Sequence, residues 1–247
     1  MVMRQLRASG GVWISYRGFS LHLDPGPGAL VRALSSRPSL DPASLSGVLL
    51  SHRHLDHAND VNIIIEAMTQ GATKVRGHLF LPQDALEGEP VVFRYLREHL
   101  EEMHILVEGG EYTLGSFSFS TPWRHIHGAE TYGFRFRFPQ GVISFVTDTQ
   151  FSEDIYKAYE GSDILVIHVV RLERSDLPDL LHLSVPEAEL IITHIRPRLA
   201  ILTHFGMTIL RAKPWEVAQR LSEKTGIPVI AASDGLTINL EDLFSNG

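Results

Sequence analysis

The chain has 247 residues, of which 44% are hydrophobic and 21% are charged, as is typical of a globular protein with a sizeable core. Its net charge of −7 disfavours a broad nucleic-acid-binding surface, and its lack of cysteine excludes disulfides and thiolate metal sites. Residues 1–10 lack the apolar core of a signal peptide, and no stretch is apolar enough to span a bilayer. We therefore expect a cytoplasmic protein without a membrane partner.

The first predicted elements form a hairpin. Val12–Tyr16 and Phe19–Leu23 are two short β-like runs, and Arg17 and Gly18 between them are typical of a tight β-turn. Asp24 follows the second run and is itself followed by alternating proline and glycine residues, which predicts a second turn.

The stretch Ser51–His57 carries the strongest functional signal. It follows Gly47–Leu50, which is predicted to be a buried strand, and precedes Asp60–Met68, which is predicted to be a helix. A loop in this position allows side chains to converge while the flanking elements hold them in place. Three histidines and one aspartate at such close offsets are rare by chance, so we interpret this loop as a metal site rather than as polar surface.

The four side chains suit divalent cations. His52 and His54 are two residues apart and can chelate one cation, while Asp56 and His57 can face a second cation beside it. Imidazole nitrogen and carboxylate oxygen suit zinc and, less selectively, iron, manganese or cobalt.

The pattern His-x-His-x-Asp-His after a buried strand resembles the signature of the metallo-β-lactamase superfamily. The resemblance implies an α/β fold of four layers, the αββα sandwich, as a single domain over residues 1–247, with metals in a cleft at one edge of the two sheets. It also implies that Asp24 braces the metal loop from behind, although a simple turn former explains this residue equally well.

Later elements are predicted from periodicity and from turn signals. Strands are predicted at residues 75–82, 112–114, 117–121, 132–138, 142–147, 163–170, 199–203, 229–232 and 237–240, and helices at 93–103, 153–159, 184–195 and 214–225. Ser184 and Glu187 have the spacing of a capping box. We expect a small insertion near residues 82–110, which either covers the site or decorates the surface.

The resemblance assigns the remaining ligands to the ends of predicted strands. Asp148 resembles the carboxylate that bridges the two metals, and His204 resembles the last ligand; the alternatives are a helix-capping aspartate and a buried core histidine. The third histidine is His125 or His127. Ribonuclease Z and related phosphodiesterases place it a few residues before a Tyr-Gly-aromatic strand, which favours His127.

The resemblance then implies a complete dinuclear centre. One metal takes His52, His54 and His127, the other takes Asp56, His57 and His204, and Asp148 bridges them. Two cations, by first preference zinc with manganese or iron as alternatives, lower the pKa of a bridging water so that hydroxide is the nucleophile near neutral pH. Asp56 and Asp148 are thus predicted to be catalytic through the metals.

His182 resembles the additional histidine that related phosphodiesterases use near the leaving group. It precedes a predicted helix, whose N-terminus favours an anion such as phosphate. We therefore predict that His182 is catalytic, and the alternative is a surface-loop histidine. The remaining histidines show no partner pattern and are predicted to lie on the surface or on helix faces: His22, His78, His99, His104 and His194.

Within the superfamily, the motifs resemble those of ribonuclease Z and small phosphodiesterases. The chain lacks the cysteine of common zinc β-lactamases and the His-Thr-Pro-Gly-His run of glyoxalase-like thioesterases, and it has His54 where flavin-linked diiron reductases have glutamate. Two departures disfavour transfer-RNA maturation: a glycine-rich arm is not evident, and no glutamate follows His168, which should leave that histidine without a partner.

We therefore expect a dinuclear-metal hydrolase that acts on a small or nucleotide-type phosphodiester. Two alternatives remain open, namely a hydrolase of lactones or other carboxylic esters or thioesters, and a non-catalytic metal-binding module.

Overall fold

The computed structural model describes residues 6–9, 11–175 and 181–241. The chain divides into two compact units, Met1–Val107 with Thr113–Phe117, and Glu108–Tyr112 with Ser118–Gly247. Each unit is built around a β-sheet, and the predicted mixed α/β class with two sheets and helices is confirmed. The expectation of a single domain stays a prediction.

The first unit contains a five-stranded sheet in the order β1-β2-β3-β4-β5. Its elements are β1 (Val12–Tyr16), β2 (Phe19–Leu23), α1 (Ala29–Ser35), β3 (Gly47–Leu49), α2 (Leu55–Ala58), α3 (Val61–Met68), β4 (His78–Leu81), α4 (Arg94–Arg97) and β5 (Glu102–Ile105). β1 and β2 are antiparallel, whereas each later pair is parallel. The predicted hairpin is confirmed, and Arg17 and Gly18 adopt positive φ angles of 47° and 84° in its turn.

Helices cover one face of this sheet because apolar residues alternate along its strands. Val48, Leu79 and Leu81 are fully buried and belong to the same core cluster as Ile64 and Ile65 of α3. Each fully buried aliphatic side chain contributes roughly 1.5–3 kcal/mol to folding. This core fixes β3, the strand that leads into the predicted metal loop.

The second sheet has seven strands in the order β12-β11-β10-β9-β8-β7-β6, and nearly all of its residues belong to the second unit. The elements of this part of the chain are β6 (Gly110–Leu114), β7 (Phe117–Thr121), β8 (Phe134–Phe138), β9 (Gly141–Val146), α5 (Asp154–Tyr159), β10 (Ile164–His168), α6 (Val185–Ile195), β11 (Leu199–Thr203), α7 (Met207–Arg211), α8 (Pro214–Thr225) and β12 (Val229–Ala231). β9 to β12 are mutually parallel, and β8 is antiparallel to β7 and β9.

The register of the parallel strands brings their carboxyl ends to one edge of the sheet. Ile167 of β10 pairs with Val146 of β9 and with Leu202 of β11. The chain segments that leave these three strands are therefore neighbours. Two of the predicted site residues follow these strands, since Asp148 is two residues beyond β9 and His204 directly follows β11.

Local signals predicted several boundaries correctly. Ser184 and Glu187 form the capping box at the start of α6, and the Ser184 amide donates to Glu187 Oε2 at 2.7 Å. α8 runs from Pro214 to Thr225 as predicted, and Gly226 ends it in a left-handed conformation with φ of 69°.

Two predicted elements are wrong. The helix at residues 93–103 is limited to α4, because Glu102–Ile105 pairs with β4 as the edge strand β5. The stretch near residues 82–110 thus contributes a strand to the sheet. The strand at residues 237–240 does not form, since residues 236–239 have no regular structure.

Two further features complete the fold. Helix α7, which begins three residues after the predicted ligand His204, was not predicted from the sequence. Among the residues that the structure describes, no helix combines the length and the apolar character needed to cross a bilayer.

Candidate metal centre

The predicted metal loop gathers three histidines in the first unit. Residues 51–54 are irregular, and α2 begins directly after them, so Asp56 and His57 lie in the first turn of a short helix. The ring centroid of His52 lies 4.7 Å from that of His54 and 4.1 Å from that of His57. The loop thus brings together the donor types that the sequence predicted for a metal site.

Asp24 braces this loop and also forms a turn, since its carbonyl oxygen accepts from the amide of Gly26 at 2.8 Å. Its buried carboxylate accepts hydrogen bonds from the amide of Ser51 at 2.7 Å and from the hydroxyl of Ser51 at 2.6 Å. A third contact joins the other side of the loop, since Asp24 Oδ2 lies 2.9 Å from Nδ1 of His57. The single carboxylate therefore connects the end of β2 to both ends of the metal motif.

These contacts also orient the imidazoles. A proton on Nδ1 of His57 is donated to Asp24, which makes Nε2 the nitrogen that could bind a metal. Because the Ser51 hydroxyl donates to Asp24, its oxygen can accept from Nδ1 of His52 at 2.9 Å. His52 therefore also presents Nε2, in the neutral form that binds metals.

In the second unit, Asp148 lies at the centre of a histidine cluster. Its carboxylate is 2% exposed, and Oδ1 lies 2.8 Å from Nδ1 of His168. Oδ2 lies 3.3 Å from Nε2 of His182 and 3.6 Å from Nε2 of His204. Asp148 precedes α5 by six residues, so it does not cap that helix.

His127 belongs to the same cluster. Ligand atoms of His127, Asp148 and His182 all lie within 4.8 Å of one another. Nδ1 of His127 donates to the carbonyl oxygen of Leu181 at 3.0 Å, which leaves Nε2 for a metal.

The side chain of His125 is instead buried and hydrogen-bonded to other side chains of the protein. Its Nε2 lies 2.6 Å from the hydroxyl of Tyr159, and its Nδ1 lies 3.1 Å from Oγ1 of Thr147. Burial lowers its pKa to about 3, so the ring is neutral near pH 7. Since both nitrogens are engaged, the geometry favours His127 as the ligand, as the sequence spacing did.

The surroundings of His168 differ from those that we predicted from the sequence. We expected it to lack a partner because no glutamate follows it, but its partner is Asp148. Its ring also stacks on that of His204, with centroids 4.8 Å apart. The register explains this contact, because His168 pairs with Thr203, the residue before His204.

The backbone of two members of the cluster has a notable feature: that of His182 accepts a hydrogen bond, and that of His204 has an uncommon conformation. Nη2 of Arg171 donates to the carbonyl oxygen of His182 at 2.6 Å, which fixes the segment just before α6. His204 has a positive φ of 60°, a conformation uncommon for residues other than glycine and often found at functional sites.

Comparison with known proteins gives two sequence matches. Residues 20–205 match the model of the β-lactamase superfamily domain. A protein of Methanocaldococcus jannaschii named "Uncharacterized protein MJ1374" is 32% identical over 244 residues, which cover 96% of this chain and 89% of that protein.

Solved structures share the fold at low sequence identity. The metallo-β-lactamase fold protein YhfI from Bacillus subtilis has a TM-score of 0.76 at 18% identity and covers 91% of this chain and 88% of its own. A diphosphatase of the PhnP family gives 0.70 at 20% identity, with 92% and 82% covered. The short form of human tRNase Z gives 0.68 at 15% identity, with 92% and 91% covered.

The brace can be tested by removing the carboxylate of Asp24. Asp24→Ala leaves the buried donors of Ser51 and His57 without their acceptor, so the metal-binding nitrogens lose their orientation. We expect the Kd for zinc, measured by competition with a chromogenic chelator, to rise by about 10–100-fold. The matched control is Asp41→Ala, whose exposed carboxylate contacts only the local amide of Ala43 among the bonds described. Equal zinc affinity in both variants would contradict the brace.

Proposed function

Since the chain belongs to the metallo-β-lactamase superfamily, we propose that it is a dinuclear-metal hydrolase whose substrate is a small or nucleotide-type phosphodiester. Members of this superfamily are metal-dependent hydrolases. The observation that carries the proposal is the orientation of the histidines. In each of three histidines, His52, His57 and His127, Nδ1 takes part in a hydrogen bond. Each ring therefore has Nε2 as the nitrogen that can bind a metal ion.

The donor set fits two divalent cations. We retain the assignment of His52, His54, Asp56, His57, His127, Asp148 and His204 as the metal ligands. Nitrogen and oxygen donors with this many imidazoles favour zinc over magnesium or calcium, and manganese and iron remain acceptable. When bound, the cations acidify water and polarise the scissile phosphoryl oxygen.

The protein's own residues position these donors and handle the proton. Asp24 holds the metal loop through Ser51 and His57. We assign to His182 the contact with the substrate phosphate and the donation of a proton from Nε2 to the leaving oxygen. Its side chain is 29% exposed, so substrate can reach it, and its Nε2 lies 3.3 Å from the carboxylate of Asp148, at the centre of the histidine cluster.

Two observations favour a small phosphodiester over other substrates. A diphosphatase and a tRNase are among the structural neighbours, and both names denote hydrolysis at phosphorus. The net charge of −7 disfavours a long polyanion such as transfer RNA.

The reaction class can be tested with model substrates. Protein reconstituted with zinc or manganese should hydrolyse bis(p-nitrophenyl) phosphate, and Asp56→Ala should lower kcat at least about 100-fold because a metal ligand is lost. A p-nitrophenyl ester and a simple lactone are assayed in parallel. Turnover of the ester or lactone alone would move the assignment to carbonyl chemistry. Absence of turnover on all three, with metal bound, would favour a non-catalytic module.

The role of His182 predicts a dependence on the leaving group. His182→Ala should lower kcat on a dinucleotide, whose alkoxide leaves poorly, by about 100-fold or more, because general acid catalysis typically contributes that much. On a p-nitrophenyl phosphodiester the loss should be much smaller, since p-nitrophenolate leaves without protonation. His194→Ala is the control, because that ring stacks on Tyr156 outside the cluster. Full turnover of the dinucleotide by His182→Ala would refute the assignment.

A further inference from the structure

A second group of metal-binding side chains lies on the sheet of the first unit. β4 and β5 are parallel, and their register pairs His78 with Glu102 and Phe80 with His104. Because alternate residues of a strand share a face, these side chains project from the same face of the sheet. The sequence showed no partner pattern for His78 and His104, because the strand β5, which brings them together, was not predicted.

The distances within this group suit a metal ion. Nδ1 of His78 lies 3.0 Å from Nε2 of His104, and Nε2 of His104 lies 3.5 Å from Oε2 of Glu102. All three ligand atoms lie within 4.8 Å of one another. In a tetrahedral zinc site with bonds of about 2.0–2.1 Å, ligand atoms are about 3.3–3.4 Å apart, so only small movements are needed.

The surroundings orient both imidazoles. Nε2 of His78 lies 3.2 Å from Oε2 of Glu101. A proton on that nitrogen is donated to the carboxylate, which leaves the lone pair of Nδ1 facing His104, as in the carboxylate–histidine–metal arrangement of known metal sites. The ring of His104 stacks on Phe80 with centroids 4.3 Å apart and planes 10° apart, so it has little freedom to rotate away.

We propose that His78, Glu102 and His104 bind a divalent cation, with zinc preferred, at a site separate from the metal loop. None of its ligands belongs to that loop, and two of them lie on the edge strand β5. The side chain of Glu102 is 63% exposed, so solvent can supply the fourth ligand. The ion joins β5 to β4 and thereby stabilises the edge of the sheet.

Zinc content measured by mass spectrometry tests this site. Wild type, His104→Gln, Glu102→Gln and His99→Gln are stripped with a chelator, reloaded with zinc and freed of unbound metal. We expect His104→Gln to hold one zinc per chain fewer than wild type, and His99→Gln, a histidine of the same segment outside the cluster, to match wild type. Glu102→Gln should release one zinc at a chelator concentration at which wild type keeps it.

The comparison does not depend on the hydrolytic function. A loss of one zinc in His104→Gln supports the site whatever the substrate, and unchanged turnover of any substrate that wild type hydrolyses shows that the lost ion is separate from the metal loop. Equal zinc content in His104→Gln and wild type overturns the proposal. If His104→Gln does not fold, Glu102→Gln decides alone, because its exposed carboxylate is replaced by an amide of the same shape, and unchanged zinc retention in that variant also overturns it.

Discussion

The buried carboxylate of Asp24 is the contact on which the metal loop depends. The parallel pairing of β2 and β3 sets the amide of Asp24 2.9 Å from the carbonyl oxygen of Leu49, so the carboxylate meets the chain just as it leaves β3. There it accepts hydrogen bonds from Ser51 and His57. Without it, buried donors would be left unpaired at a cost of about 1–3 kcal/mol each. The strand pairing thus determines where the imidazoles point.

The second unit uses the same principle at the ends of β9, β10 and β11. Their parallel register brings Asp148, His168 and His204 together, although these residues are distant in sequence. A carboxylate as buried as that of Asp148 is costly unless positive charge lies nearby. Divalent cations would supply that charge while the histidines stay neutral, which is the protonation state that a metal ligand requires.

The sequence correctly predicted turns and helix boundaries, which neighbouring residues determine. It did not predict the elements and contacts that depend on pairing between distant strands. The hairpin at Arg17 and Gly18 and the helix from Pro214 were predicted because turn and capping residues act locally. The helical spacing of residues 93–103 was overruled by pairing with β4, although Leu96 still reaches the core. The same error concealed the partners of His104. The contact of His168 with Asp148 was missed because it depends on strand register, which periodicity does not reveal.

We propose that the chain holds two metal ions at the ligands assigned above. Anomalous diffraction at the zinc absorption edge tests this proposal most directly. At these ligands, and apart from any ion held by His78, Glu102 and His104, crystals grown with zinc should show two peaks about 3.5–4 Å apart, the usual spacing of dinuclear hydrolytic sites. The ligands of these ions should include Nε2 of His52 and of His54 and the carboxylate of Asp148. A single ion there, or ions that contact neither His52 nor Asp148, would contradict the proposal.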